Sequence, residues 1–254
     1  MSASTASPGA AAPAVPGQVA ERHVGPRQFP LGWSDAGWFV VAYVVLTGVF
    51  IGMGELVTHA WRVTFDERIE RWLAGHRTAW LNRATFIGSE LADTVVKISV
   101  TALVALIMLA VWKRWLEPLM VSLALVLEAS VFITTTWTVG RPRPDVPRLE
   151  TSPVGSSFPS GHVAAAVVYS AIAVVVCWHT RKTWPRVLAF GLVTLIALAA
   201  GFSRMYRGMH HLTDVIAGAL LGAAAVVITR WLLVRAARRR HAIPDGLTIS
   251  EDPA

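Results

Sequence analysis

Six runs of about twenty mostly apolar residues decide what this chain can become: 37–57, 94–112, 116–139, 162–179, 186–203 and 213–234. Each is long enough to cross a hydrocarbon core of roughly 30 Å as a helix, and a helix satisfies its own backbone hydrogen bonds in lipid. A soluble domain would break such runs into short periodic stretches. Hydrophobic residues make up 54% of the 254 and charged residues only 15%. The sequence therefore predicts an all-α, polytopic membrane protein with six transmembrane helices. Trp33, Trp38, Trp112, Trp115, Trp137, Trp178, Trp184 and Trp231 fall near the ends of the runs, as interfacial aromatics do.

The net charge of +7 belongs mostly to topology. Segments "WKRWLEP" (112–118), "HTRKTWPR" (179–186) and "VRAARRRH" (234–241) are short and basic, which predicts that they are cytoplasmic and that both termini lie inside. Segments 58–93, 140–161 and 204–212 then face outward. No basic soluble domain exists to bind nucleic acid, and no nucleotide-binding motif is present. Residues 1–36 are expected to be a disordered cytoplasmic tail, 37–235 the membrane domain, and 236–254 a basic, then flexible, tail. The first thirty residues are rich in Ala, Pro, Ser and Gly and lack the basic-then-apolar pattern of a signal peptide. Cys177, the one cysteine, has no partner for a disulfide and reads as a buried filler.

The first outer segment holds Arg62, Arg68, Arg71, Arg77 and Arg83, offset by Asp66, Glu67, Glu70, Glu90 and Asp93. Thr64 and Glu67 have capping-box spacing, and Phe65, Ile69, Trp72 and Leu73 repeat on one helix face. These residues predict an amphipathic helix on the outer membrane surface, structural rather than catalytic.

Two polar clusters fall on the same predicted side: "GRPRPDVPRLETSPVGSSFPSGH" (140–162) and "SRMYRGMHHLTD" (203–214). Ionisable groups at the start of a lipid-spanning helix are costly, so they need a function. "PSGH" opens an apolar helix, placing the amides of Ser160, Gly161 and His162 at a first turn, where free N–H groups and the helix dipole favour an anion. His162 can give a proton to an oxygen leaving that anion. His210 and Asp214 are four apart, and His211 and Asp214 three apart, so helical geometry alone pairs either histidine with the carboxylate. Such a pairing fixes one ring nitrogen and leaves the other free to attack. Arg143 and Arg204 are permanently charged forks suited to phosphate oxygens. Together these groups fit phosphoryl transfer through a phosphohistidine. The rival reading is a metal triad of His162, His210 and Asp214, which the neighbouring arginines oppose by repelling a cation.

With these residues the chain resembles the type 2 phosphatidic acid phosphatase superfamily, which also includes vanadium haloperoxidases and bacterial lipid phosphatases. The family signature runs K-x6-R-P, P-S-G-H and S-R-x5-H-x3-D. Here the second part is Pro159-Ser160-Gly161-His162, and the third is Ser203-Arg204, His210 and Asp214. The resemblance implies six helices, no metal or other cofactor, and a membrane lipid phosphate as substrate. Candidates are phosphatidic acid, phosphatidylglycerol phosphate and a polyprenyl diphosphate. It makes His210 the nucleophile, Asp214 its orienting partner and His162 the general acid. Arg143, Arg204, Ser160 and Gly161 become the phosphate cradle, and His211 turns away to pack or meet the headgroup. The first part departs from the signature: seven positions before Arg143 stands Thr136, and seven before Arg141 stands Thr134, neither a lysine. Lys97 or Arg141 is the candidate replacement for that cation. A phosphotransferase with an alcohol acceptor, and a non-catalytic lipid-phosphate binder or transporter, are the alternative functions.

Overall fold

A computed structural model describes residues 29–242 except 61–63, 91–92 and 153, with side chains to residue 239. All regular structure among the described residues is helical: α1 (Trp33–Glu55, continued by a π-helical turn Leu56–Ala60), α2 (Thr64–Gly75), α3 (Ala79–Glu90), α4 (Thr94–Trp112), α5 (Leu116–Val139), α6 (Gly161–Val168), α7 (Ser170–His179), α8 (Thr183–Tyr206) and α9 (Leu212–Ala242). Six spans are long and apolar enough to cross a membrane, α6 and α7 together making the fourth. Two of the six expected ranges are matched residue for residue and the others extend outward by a few residues. The fold is all-α and polytopic. Most of the two expected tails lies outside the described residues, although α1 already begins at Trp33.

Side chains sort as lipid as solvent requires. Val44, Leu103, Leu106, Leu195 and Leu198 are exposed on the outer faces of their spans. Inward, Leu46 and Phe50 of α1, Leu127 and Val131 of α5, and Leu221 and Ala225 of α9 form one core. Met108, Met120, Val121, Ala171 and Val175 join α4, α5 and α7 in another. In lipid such contacts rest on close packing rather than on water exclusion, so small residues sit where backbones meet. A Cβ on Gly218 would strike the Ser160 carbonyl, and one on Gly222 would lie 2.5 Å from the Ala164 carbonyl. Glycine at both points lets α9 lie backbone to backbone on α6, and this contact sets the PSGH turn against the first turns of α9.

The segment 58–93, expected to face outward, differs from expectation in its helices. It holds two helices rather than one, and α3 packs on α8, where a Cβ on Gly88 would meet the Ser203 hydroxyl. The expected apolar residues of α2 divide: Phe65 and Trp72 are exposed, whereas Leu73 is buried beside Asp66 and Glu70. The helix therefore faces the protein with an acidic edge.

Candidate active site

The ends of α5, α6, α8 and α9 that carry the two polar clusters meet at one end of the bundle. The 140–160 and 207–211 loops cross over them, and α2 and α3 flank them.

His210 is buried, 4% exposed, at the turn between α8 and α9. Its Nδ1 lies 2.7 Å from the Ser157 carbonyl oxygen and 3.8 Å from Asp214 Oδ2. A carbonyl only accepts, so Nδ1 carries the hydrogen and Nε2 keeps its lone pair. Burial pulls the His210 imidazole down to about 4, against the opposing pull of Asp214, and Arg204 and Arg143 lower it further. The ring is neutral at physiological pH with Nε2 unprotonated. This corrects one expectation: the direct partner of Nδ1 is the main chain at Ser157, and Asp214 stands beyond hydrogen-bond reach of it.

Asp214 is fully buried and serves three neighbours. Its Oδ2 accepts from the backbone N–H of His211 at 2.9 Å, its Oδ1 from the Arg141 guanidinium, and its carbonyl oxygen from the Ser160 N–H at 3.0 Å. The last bond removes the Ser160 amide from the expected anion nest. The amides of Gly161 and His162 remain in the first turn of α6, and Ser160 Oγ is buried with no hydrogen-bond partner among the described residues. A Cβ on Gly161 would lie 2.7 Å from the Phe132 ring, so glycine permits this approach. His162 follows, partly exposed.

The two expected phosphate arginines are tethered along one edge. Arg143 donates to the Met209 carbonyl at 2.6 Å and, from its other terminal nitrogen, to Ser152 Oγ and the carbonyls of Val154 and Ser156. It thereby ties the 152–156 loop to the residue preceding His210. Arg204 donates to Ser89 Oγ at 2.8 Å and to Glu150, while its Nε is buried without a partner. Glu150 also accepts from Arg207 Nε at 2.7 Å. Arg141 is not free for a ligand: its fork is spent on Asp214, on Thr213 Oγ1 at 2.7 Å and on Asp66 at 3.4 Å.

Lys97 lies inside the bundle, 3.5 Å from Glu128, with both side chains buried. Its Nζ is 5.9 Å from the centre of the Phe132 ring that packs on Gly161. It is thus one side chain removed from the PSGH turn. Thr136 Oγ1 is buried without a partner among the described residues, whereas Thr134 is engaged with Tyr43 at 2.8 Å.

His211 is held at both nitrogens, by Glu70 Oε1 at 2.5 Å and by the Pro142 carbonyl at 3.2 Å. Both partners are acceptors, which favours the doubly protonated ring. Its pKa is raised accordingly: burial alone would lower it, and the bond to Glu70 together with nearby Asp214 outweighs burial. The two adjacent histidines are therefore shifted in opposite directions, His210 down and His211 up. A cavity of about 330 Å³ opens beside His211, lined by Asp66, Glu70, Arg141 and Arg143 among others. Among the described residues no three His, Cys, Asp or Glu side chains converge as metal ligands do.

Sequence reasoning missed Asp66, Glu70, Glu150, Ser89 and the Ser157 carbonyl. The acids at 66 and 70 carried one readable signal, their i, i+4 spacing opposite Phe65 and Trp72. Glu150 and Ser89 carried none, and a main-chain carbonyl has no sequence signature.

Residues 115–238 match the family described as the PAP2 superfamily. Over 88 residues the chain is 32% identical to the bacitracin transport permease protein BcrC of Bacillus licheniformis, covering 35% of this chain and 39% of that one. Over 68 residues it is 40% identical to phosphatidylglycerophosphatase B of Bacillus subtilis, covering 26% and 34%. The matches span 27% to 52% of the length of the curated relatives. The crystal structure of a transmembrane PAP2 type phosphatidylglycerolphosphate phosphatase from Bacillus subtilis superposes with a TM-score of 0.65 at 23% identity, over 80% of this chain and 98% of that one. That likeness is one of fold.

Proposed function

We propose that this chain, whose residues 115–238 match the PAP2 superfamily, is a membrane phosphatase that releases phosphate from a lipid phosphate monoester or diphosphate through a phosphohistidine. The observation that carries the reading is His210: buried, neutral, hydrogen-bonded through Nδ1 to Ser157, and influenced by two arginines. A nucleophile so held needs no deprotonation before it attacks.

In the proposed reaction Nε2 of His210 attacks phosphorus, forming an N–P bond as the P–O bond to the lipid breaks. His162 gives its proton to the departing oxygen. Water then attacks the phosphohistidine, losing a proton to His162, and phosphate leaves with both histidines restored. Arg143, Arg204, Ser160 Oγ and the first-turn amide of Gly161 hold the phosphoryl oxygens, and the unpartnered Arg204 Nε and Ser160 Oγ support that assignment. Charge that is fixed in place before the reaction stabilises the transition state without reorganisation. Asp214 steadies the imidazolium electrostatically and holds the 210–211 turn through the His211 amide. Lys97 takes the part of the missing lysine, and Arg141 serves Asp214 instead of phosphate. The short basic loops support an outward-facing site with cytoplasmic termini, and residues 37–235 carry the activity. The chemistry needs no metal, so activity survives a chelator and falls with vanadate.

Purified protein tested on phosphatidic acid, phosphatidylglycerol phosphate and a polyprenyl diphosphate is the decisive assay. Release of phosphate from at least one, lost in His210→Ala, is expected. No release from any of them would overturn the reading.

A further inference from the structure

Helix α9 begins with a defect. Its first intrahelical bond runs from Val215 N to the His211 carbonyl at 3.2 Å, which makes His211 the residue at the cap position. An imidazole already bonded to Glu70 and Pro142 has no oxygen to offer the first-turn amides. Half of a capping box is nevertheless present, because Asp214, three residues on, accepts from the His211 amide at 2.9 Å. The other half comes from elsewhere in the chain. Asp66 of α2 accepts from the Thr213 amide at 3.3 Å and from the Thr213 hydroxyl at 2.6 Å. Its Oδ2 also lies 3.4 Å from the Arg141 nitrogen, and Arg141 in turn grips both Thr213 and Asp214.

We propose that Asp66 is a positioning residue for the reaction: it supplies from α2 the cap that α9 lacks, and through Thr213 and Arg141 it fixes the turn that carries His210 and Asp214. Asp66 is 2% exposed although it lies in an outer segment. A carboxylate is buried there because amide, hydroxyl and guanidinium donors meet it, and because a helix N-terminus favours negative charge. Glu70, one turn along α2, fastens the same helix to His211. The helix expected to be a surface element is thereby part of the site's framework. Asp66 makes no hydrogen bond to His210, so its influence passes through Thr213 and Arg141.

The role of Asp66 rests on the phosphatase reading only for its kinetic readout, so two measurements test it. The first is kcat and KM for release of phosphate from short-chain phosphatidic acid, per folded molecule. Asp66→Ala should lower kcat about 10²-fold, the scale of a catalytic group displaced by an ångström, with KM nearly unchanged. Asp66→Asn keeps an oxygen for the Thr213 amide and should recover most of the loss. Should Asp66→Ala fail to fold, Thr213→Val removes only the hydroxyl and should give an intermediate loss. The second measurement is side-chain ¹⁵N NMR of histidine-labelled protein, which needs no turnover. The parent protein should show His210 as the neutral Nδ1–H form, and Asp66→Ala should show a mixture of forms. Full kcat in folded Asp66→Ala with an unchanged His210 spectrum would overturn the proposal. A parent protein that releases no phosphate, yet whose His210 spectrum responds to Asp66→Ala, would overturn the phosphatase reading and leave the positioning role standing.

Discussion

The two flanks of the site are charged in opposite ways. On the α2 flank three buried acids are matched: Asp66 by Thr213 and Arg141, Glu70 by His211, and Asp214 by Arg141 and the His211 amide. On the α3 flank two buried arginines, Arg204 and Arg207, share the single carboxylate of Glu150. There Arg204 Nε and, nearer α6, Ser160 Oγ are buried without partners among the described residues. The first flank is a closed network that holds a turn still. The second has donors to spare, and spare buried donors are what an incoming anion meets.

That contrast orders the expected effects of substitution. Arg204→Ala removes a donor from the open flank and should lower kcat/KM about 10²–10³-fold. Arg204→Lys should recover little, because a point charge cannot hold Ser89, Glu150 and a ligand at once. Measured alongside, Arg141→Lys should act on stability more than on KM, which would separate the flank that binds from the flank that holds.

Glu150→Gln comes next. It leaves two buried guanidinium groups with a neutral partner, and the cost should be about 3 kcal/mol of unfolding stability, read as a fall in thermal midpoint. Glu70→Gln should cost less, roughly 1 kcal/mol, because His211 can shed its proton where an arginine cannot. The pairing with Glu70 raises the His211 pKa above its usual 6.5. A raised value in the folded state stabilises fully below 6.5 and is lost as pH climbs through the folded value. Stability of the parent protein should therefore decline on the alkaline side, and Glu70→Gln should flatten that decline.

The smallest effect is on the acid side and belongs to His210. Its folded value near 4 lies below the usual 6.5, so its contribution is present above 6.5 and lost as pH falls through about 4. The acid limb of kcat/KM should be governed by a group near 4 rather than near 6.5. A limb at 6.5 would mean that the ring is solvated and that the flanks do not enclose it.

The same contrast explains what a reader of the sequence can and cannot see. The six spans are legible because lipid forces each backbone to satisfy itself locally, and that demand writes long apolar runs. The pattern Ser203-Arg204 to His210 and Asp214 is legible because it lies within twelve consecutive residues. The partners of those residues are not. Asp66 lies 147 residues from Thr213 and Glu150 54 from Arg204, and no local periodicity records which donor a distant acid will meet. Arg141 shows the consequence: adjacent to the R-P motif it reads as a phosphate ligand, and only the fold reveals that Asp66 and Asp214 have claimed it. The Nδ1 partner of His210 is similarly hidden, since Ser157 contributes only its main chain.

The central claim is that His210 carries the phosphoryl group. It is tested most directly by rapid quench in alkali after mixing the purified protein with phosphatidic acid labelled at phosphorus, followed by mapping of the labelled peptide. The account predicts label on His210, stable to alkali and lost in acid, and absent in His210→Ala. Turnover by the parent protein with no label on His210, or undiminished turnover in His210→Ala, would contradict it.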